Sequence, residues 1–232
     1  MSYGITQALP ITVACIIASY LICGIPFGLI LGKAEGHVDI RKAGSGNIGT
    51  TNALRVAGPK VAAATLALDL LKGTFCVIAA RYLISGIGFG SATAVVEPGG
   101  PGDWMLALVA LACLCGHVFS PYLHFHGGKG IAVGVGVLFG WFWPLALFHL
   151  AVFIVLVALT RYVSVGSITT AALVAASVCV TFPYASIACK LIMASMGIIV
   201  VWAHRSNIKK LMHGKESKLS FSKRVKTKDD DS

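Results

Sequence analysis

The thirty residues Ile131–Thr160 contain no Asp, Glu, Lys or Arg. A helix needs about 20 apolar residues to cross the hydrocarbon core of a bilayer. This run is too long for one untilted crossing and short for two. Pro144 stands almost at its centre, and proline interrupts a helical hydrogen-bond ladder. We therefore read two short spans that break near Pro144. Other charge-poor runs cover residues 10–31, 61–85, 104–116, 168–182 and 185–203, with Pro26 predicted to kink the first of them near its end.

Composition agrees. Hydrophobic residues make up 56% of the 232-residue chain and charged residues 12%, against about 25% charged in soluble domains. Every backbone polar group in lipid must find its partner within the chain, so helices are the favoured spanning form. The runs are continuous rather than alternating, which argues against a transmembrane β-barrel. The expectation is an all-α polytopic membrane protein with about seven transmembrane helices. Residues 1–219 form one domain, and residues 220–232 form a disordered tail.

The formal net charge is +10. Its basic residues cluster beside the spans, where orientation and anionic head groups account for them. Aromatic residues are not interleaved with them, so no nucleic-acid partner is expected. The first positive side chain is Lys33, which leaves no basic leader before the first span and predicts an uncleaved span with its N-terminus outside. With seven spans, the loop 32–60, the HGGKG loop, the RYVSVGS segment and the C-terminus then all lie on the cytoplasmic side. Arg81 and Lys190 are the exceptions.

The seven cysteines all lie in apolar segments, where thiols pack as small hydrophobes. An odd count without extramembrane pairs argues against a disulfide framework, and Cys113 and Cys115 are too close together for a zinc knuckle. His117, His124 and His126 match no metal-ligand spacing. Neither metal nor cofactor is expected. His149, in an apolar span, reads as a packing or capping histidine. Asp69 and Lys72, three residues apart inside the second span, share a helix face and can pair. A charge at mid-bilayer costs on the order of 3 kcal/mol, so the pair either pins helices together or serves a substrate.

Four segments on the predicted cytoplasmic side combine glycine, hydroxyl, amide and cationic residues with few carboxylates. That chemistry suits a phosphate: glycine lets backbone N–H groups approach and Arg or Lys supplies charge. The first is AGSGNIGTTNALR, residues 43–55. It contains a GxGxxG pattern, but after a membrane span rather than a buried strand, so a nucleotide is rejected. Ser45, Asn47, Thr51, Asn52 and Arg55 are its candidate ligands, and a helix beginning at Thr50 would put Thr51 and Arg55 on one face. The second, Gly127-Gly128-Lys129-Gly130, lacks the serine or threonine of a P-loop and reads as a glycine cradle at a helix N-terminus. The third is RYVSVGSIT, with Ser164 and Ser167. The fourth follows the last span, where His204 and Asn207 share a face.

Taken together, SGNIGTTNALR, DLLKG, GHVFSPYLHFHGGKG, RYVSVGSI and HRSNIKKLMHGKE resemble the bacterial acyl-phosphate:glycerol-3-phosphate acyltransferase family (PlsY type), in order from about Gly24 to Glu216. Two departures are Ile48-Gly49-Thr50 where the family usually has Pro-Gly-Ala, and His126 where it usually has Lys. The resemblance implies acyl transfer from acyl phosphate to the 1-hydroxyl of glycerol 3-phosphate in the bacterial cytoplasmic (inner) membrane, with the site on the cytoplasmic face. It implies a monomer, no cofactor and no metal. Ser45, Arg55, Lys129 and one of Ser164 or Ser167 would hold the glycerol 3-phosphate, with His204 and Asn207 orienting its hydroxyls. The glycines 127, 128 and 130 would cradle the donor phosphate. The chain has no His followed five positions later by Asp, the signature of other glycerolipid acyltransferases. The competing reading is a small transporter or channel for a phosphorylated metabolite.

Overall fold

The computed structural model describes residues 2–35, 37–90 and 93–219. The expected disorder of residues 220–232 lies outside the described residues. Among those described, regular structure is entirely helical. Five helical stretches are long and apolar enough to cross a membrane: Gly4–Ala34, Pro59–Gly88, Asp103–Leu123, Ile131–Thr160 and Val163–Thr181. Ile187–Ala203 with Arg205–Met212, bent by 54°, makes a possible sixth. That is fewer than the expected seven, because length and composition count Ile131–Thr160 once.

The first stretch is α1 (Ser2–Gly24) and α2 (Phe27–Ala34), separated at Ile25 and Pro26. Proline has no amide hydrogen, so the helix ladder fails there. The carbonyls exposed by the break are used. Gly24 O accepts from Ser120 Oγ at 2.7 Å and Ile25 O from Lys72 Nζ at 2.9 Å. The short α3 (Thr50–Val56) leads into α4 (Pro59–Leu83), which lies antiparallel to α1 and α2: Ala8 meets Gly88, and Gly28 meets Thr65. The next helix, α5 (Asp103–Val118), runs parallel to α1, with Gly116 against the Tyr20 carbonyl.

The charge-free run forms α6 (Ile131–Thr160), and its backbone leaves helical geometry at Phe142, with φ −158° and ψ 98°. Pro144 follows two residues later and cannot donate to the carbonyl of Gly140. A straight helix of this length would hold its ends about 45 Å apart. Yet Lys129, before α6, and Ser164, after it, join one hydrogen-bonded group through Asn207 and Glu216. The element therefore doubles back at Phe142. The arm 131–141 lies parallel to α4, where small residues let the backbones approach: Gly73 against Val133, Gly136 against Leu70, and Gly140 against Thr74. Thr74 Oγ1 also donates to Gly136 O at 2.9 Å. At the turn, Arg81 donates to the Trp141 carbonyl, and Trp141 and Phe142 pack edge-on against Phe182.

The arm 143–160 returns and passes into α7 (Val163–Thr181), which turns into α8 (Ile187–Ala203). Ser186 caps α8, and its amide and hydroxyl both donate to Asp103, at 2.8 and 2.6 Å, tying α8 to the start of α5. The expected boundary of this span moves: Val163 to Ser167, read as a polar segment before it, are the first turns of α7. Helix α9 (Arg205–Met212) is strongly amphipathic and polar on average, a surface helix rather than a continuation of the span.

Candidate active site

The ends of α3, α5, α6, α7 and α8 converge on a cavity of about 510 Å³. This falls in the usual range for small-molecule sites. Its polar end holds Ser45, Asn47, Thr51, Arg55, Lys129, Ser164, Ser167, His204, Asn207 and Glu216. Its other walls are apolar and include Leu66, Leu138, Leu150, Phe153, Val157 and Val174. Ser45, Asn47, Lys129 and Asn207 also border a second, surface cavity of about 280 Å³, whose lining includes His126, Arg205 and Lys210.

The residues predicted from four separate motifs thus meet. Lys129 Nζ lies 2.5 Å from Asn207 Oδ1. Asn207 Nδ2 donates to Glu216 Oε1 at 2.7 Å, and Ser164 Oγ donates to the same oxygen at 2.8 Å. Burial pushes the Lys129 ammonium down from its ordinary pKa; Glu216 opposes that shift, while Lys210 and Arg55 add to it. The lining carries Arg55 and Lys129 against Glu216 and Asp69, and Asp69 is paired with Lys72, so this end leaves room for an anion. The expected Thr50 helix forms, and Thr51 and Arg55 both face the cavity. Ser167 reaches the cavity too, with its hydroxyl donated to Val163 O at 2.9 Å.

His204 sits where α8 ends and α9 begins. Its Nδ1 faces Val200 O at 2.8 Å, so that nitrogen carries the proton and Nε2 keeps its lone pair. Burial holds its pKa down to about 4, with the Val200 hydrogen bond opposing and Lys129 assisting. The imidazole is neutral at physiological pH.

The structure gives several of the expected site residues a local role as well. Asn52, expected to bind substrate, lines the larger cavity. It is buried, and its amide is used within the loop: Nδ2 donates to Ile40 O at 2.7 Å and to Ala43 O at 3.3 Å, and Oδ1 accepts from Ser45 N at 2.8 Å. It shapes the loop that carries Ser45. Asn47 Oδ1 likewise accepts from Gly49 N at 2.9 Å, turning the chain into α3 while still lining both cavities.

Gly127 and Gly128 were expected to cradle a phosphate with their amides. Those amides are already donated to Val118 O and His117 O, each at 3.0 Å. These glycines serve close packing instead. A Cβ on Gly127 would lie 1.9 Å from His117 O, and one on Gly128 would lie 2.1 Å from His117 Nε2. Gly130, at φ +84°, opens α6 in a conformation that L side chains rarely adopt.

Two groups escaped the sequence reading as site residues. Glu216 holds the hydrogen-bonded group together, yet in sequence it is one acid between Lys215 and Lys218, with no local pattern that marks its role. His117, set aside as a metal ligand, stacks behind Gly128. Its Nδ1 faces Lys72 Nζ at 3.2 Å, and Lys72 Nζ lies 2.6 Å from Asp69 Oδ1. An ammonium only donates, so the imidazole proton is on Nε2. The expected Asp69–Lys72 pair therefore exists, is buried, and backs the lysine loop; Asp69 and His117 also line the larger cavity.

A helical membrane protein whose larger cavity joins a cationic, hydroxyl-rich end to apolar walls defines a class: an enzyme that works on a small anion and a lipid chain together. Comparison with known proteins gives the family. Residues 13–214 match the glycerol-3-phosphate acyltransferase family profile. Glycerol-3-phosphate acyltransferases of Rhodopseudomonas palustris (strain BisB5) and Gloeobacter violaceus are 40% and 39% identical, over 92% and 90% of this chain and 98% and 96% of theirs. The crystal structure of PlsY, an integral membrane glycerol 3-phosphate acyltransferase, in its glycerol 3-phosphate form superposes with a TM-score of 0.77 at 31% identity, covering 90% of this chain and 96% of that one. Its lysophosphatidic acid form gives 0.75 at 30%. The chain belongs to the glycerol-3-phosphate acyltransferase family of PlsY type. It is an acyltransferase, which displaces the transporter reading.

Proposed function

We propose that the protein moves a fatty acyl group from acyl phosphate to the 1-hydroxyl of sn-glycerol 3-phosphate, giving lysophosphatidic acid and inorganic phosphate for phospholipid synthesis. The observation that carries this is the larger cavity, cationic at Arg55 and Lys129 and apolar from Leu66 to Val174. It suits a phosphorylated triol at one end and an acyl chain along the other. The related PlsY has been solved with glycerol 3-phosphate and in a lysophosphatidic acid form.

In this reading Arg55, Lys129, Ser45 and a hydroxyl from Ser164 or Ser167 hold the acceptor's phosphate. His204 Nε2 accepts a hydrogen bond from the acceptor's glycerol and orients it, beside Asn207. The 1-hydroxyl oxygen attacks the acyl carbonyl carbon, the carbon–oxygen bond to phosphate breaks, and the departing phosphate takes the proton. Acyl phosphate is a mixed anhydride with a good leaving group, so positioning and charge stabilisation supply the rate. A histidine whose pKa is held near 4 is a weak base at neutral pH, which favours orientation over proton abstraction. The reaction draws on no metal or redox group.

The same reading sets the topology. Counting the two arms of α6 separately, the chain crosses seven times. The N-terminus lies outside, and the C-terminus and the cavity's cationic end lie on the cytoplasmic side of a bacterial inner membrane. Residues 1–219 act as one domain and as a monomer. The test is purified protein incubated with palmitoyl phosphate and glycerol 3-phosphate, reading out lysophosphatidic acid, with palmitoyl-CoA as the comparison donor. Product from the phosphate donor alone supports the assignment; product from the thioester alone overturns the donor.

A further inference from the structure

Three thiols from three different helices meet in the core: Cys23 of α1, Cys76 of α4 and Cys113 of α5. Their Sγ atoms all lie within 4.8 Å of one another. Cys23 and Cys113 have no exposed surface and Cys76 has 4%. Thiols packed merely as small hydrophobes have no reason to converge from three helices onto one point. Metal–sulfur bonds of about 2.3 Å put the sulfurs of a trigonal site about 4 Å apart, a spacing the cluster can reach with side-chain adjustment alone. Among the described residues, no other His, Cys, Asp or Glu joins the group.

Charge selects the occupant. Three thiolates around a monovalent copper ion leave two negative charges inside the bilayer, and around zinc they leave one. Zinc also seeks a fourth ligand. A trivalent centre leaves none, and burying net charge is the costly term here. We propose that Cys23, Cys76 and Cys113 form a three-thiol site that captures arsenic(III). The incoming species is the uncharged trihydroxide, small enough to enter lipid between helices. Three As–O bonds and three S–H bonds break, three As–S bonds form, and three waters leave. Arsenic stays trivalent throughout, and no outside oxidant or reductant takes part.

The bound centre would staple α1, α4 and α5 together. Lys72, which bonds to Ile25 O and faces His117 behind the lysine loop, lies one turn from Cys76 on the same face of α4. Occupancy therefore acts on the element that backs the catalytic cavity while leaving the cavity itself unfilled.

The test uses the full-length protein in detergent, reduced with a phosphine, and sodium arsenite as the probe. Arsenic X-ray absorption should show three sulfur neighbours at one equivalent per chain. Thermal unfolding of the wild type should move up with arsenite. Cys23→Ala, Cys76→Ala and Cys113→Ala should each weaken retention at least tenfold and abolish the thermal shift, whereas Cys115→Ala and Cys179→Ala should bind as the wild type does. Retention unchanged in Cys23→Ala and Cys113→Ala overturns the site. So does an arsenic centre with fewer than three sulfurs, or no binding by a wild type that remains folded.

Discussion

Lys129 and Asn207 are 78 residues apart in sequence and 2.5 Å apart in space. The contact joins the loop that opens α6 to the surface helix α9, and Glu216 extends it to α7 through Ser164. Glu216→Ala removes a charged acceptor from two donors. Each such bond is worth about 1.5–3 kcal/mol, so kcat/KM should fall on the order of 100-fold or more. Glu216→Gln keeps an acceptor oxygen and should lose roughly tenfold. Steady-state kinetics with glycerol 3-phosphate decide it; equal losses in both variants would show that the charge, not the hydrogen bonding, is what matters.

Arg55→Ala and Lys129→Ala should each raise KM for glycerol 3-phosphate by more than tenfold, since each removes a cation from the anion's end of the cavity. Near-normal affinity in both variants would remove the phosphate clamp from the mechanism.

Asn52→Ala should behave differently. It breaks three hydrogen bonds inside the loop, at a cost of about 1–3 kcal/mol of stability. Its thermal midpoint should drop along with its substrate affinity, whereas Thr51→Val should lower affinity at an unchanged midpoint.

Gly128→Ala places a methyl 2.1 Å from His117 Nε2, and Gly86→Ala meets nothing within 4 Å. The first should abolish activity or folding and the second should be close to neutral. A fully active Gly128→Ala would mean that the lysine loop does not rest on His117.

The His204 pKa, held down to about 4, gives a signed pH effect. Its folded value lies below its unfolded value, so the unfolded state binds the proton first. The stabilisation is complete above about pH 6.5 and is lost as pH falls towards 4. Unfolding midpoints of the wild type at pH 8 and pH 5 should differ more than those of His204→Gln. Activity should show no His204 inflection between pH 6 and 8.

The sequence was most legible where chemistry is local. Hydropathy located each apolar run, Pro26 and Pro144 marked the two interruptions, and the spacing of Thr51 and Arg55 revealed a shared helix face before any contact was known. Motif composition also brought Ser45, Lys129, Ser164, His204 and Asn207 to one site. What could not be read was which polar atoms the fold had already used. Asn52 lines the cavity, but nothing local showed that its amide is bonded to Ile40 and Ala43. The amides of Gly127 and Gly128 look available until the end of α5 is found against them. Glu216 and the three converging thiols depend on contacts across distant helices, which no local pattern encodes.

The arm 131–141 rises only about 16 Å before the chain reverses at Phe142, roughly half the thickness of a bilayer's hydrocarbon core. Lys129 stands at its foot. Counted as one of seven crossings, this arm is shorter than the hydrocarbon core it would border. Stretching or thickening the surrounding bilayer would change that mismatch directly at the cationic end of the cavity, so the enzyme's rate should register the thickness of the membrane it helps to build.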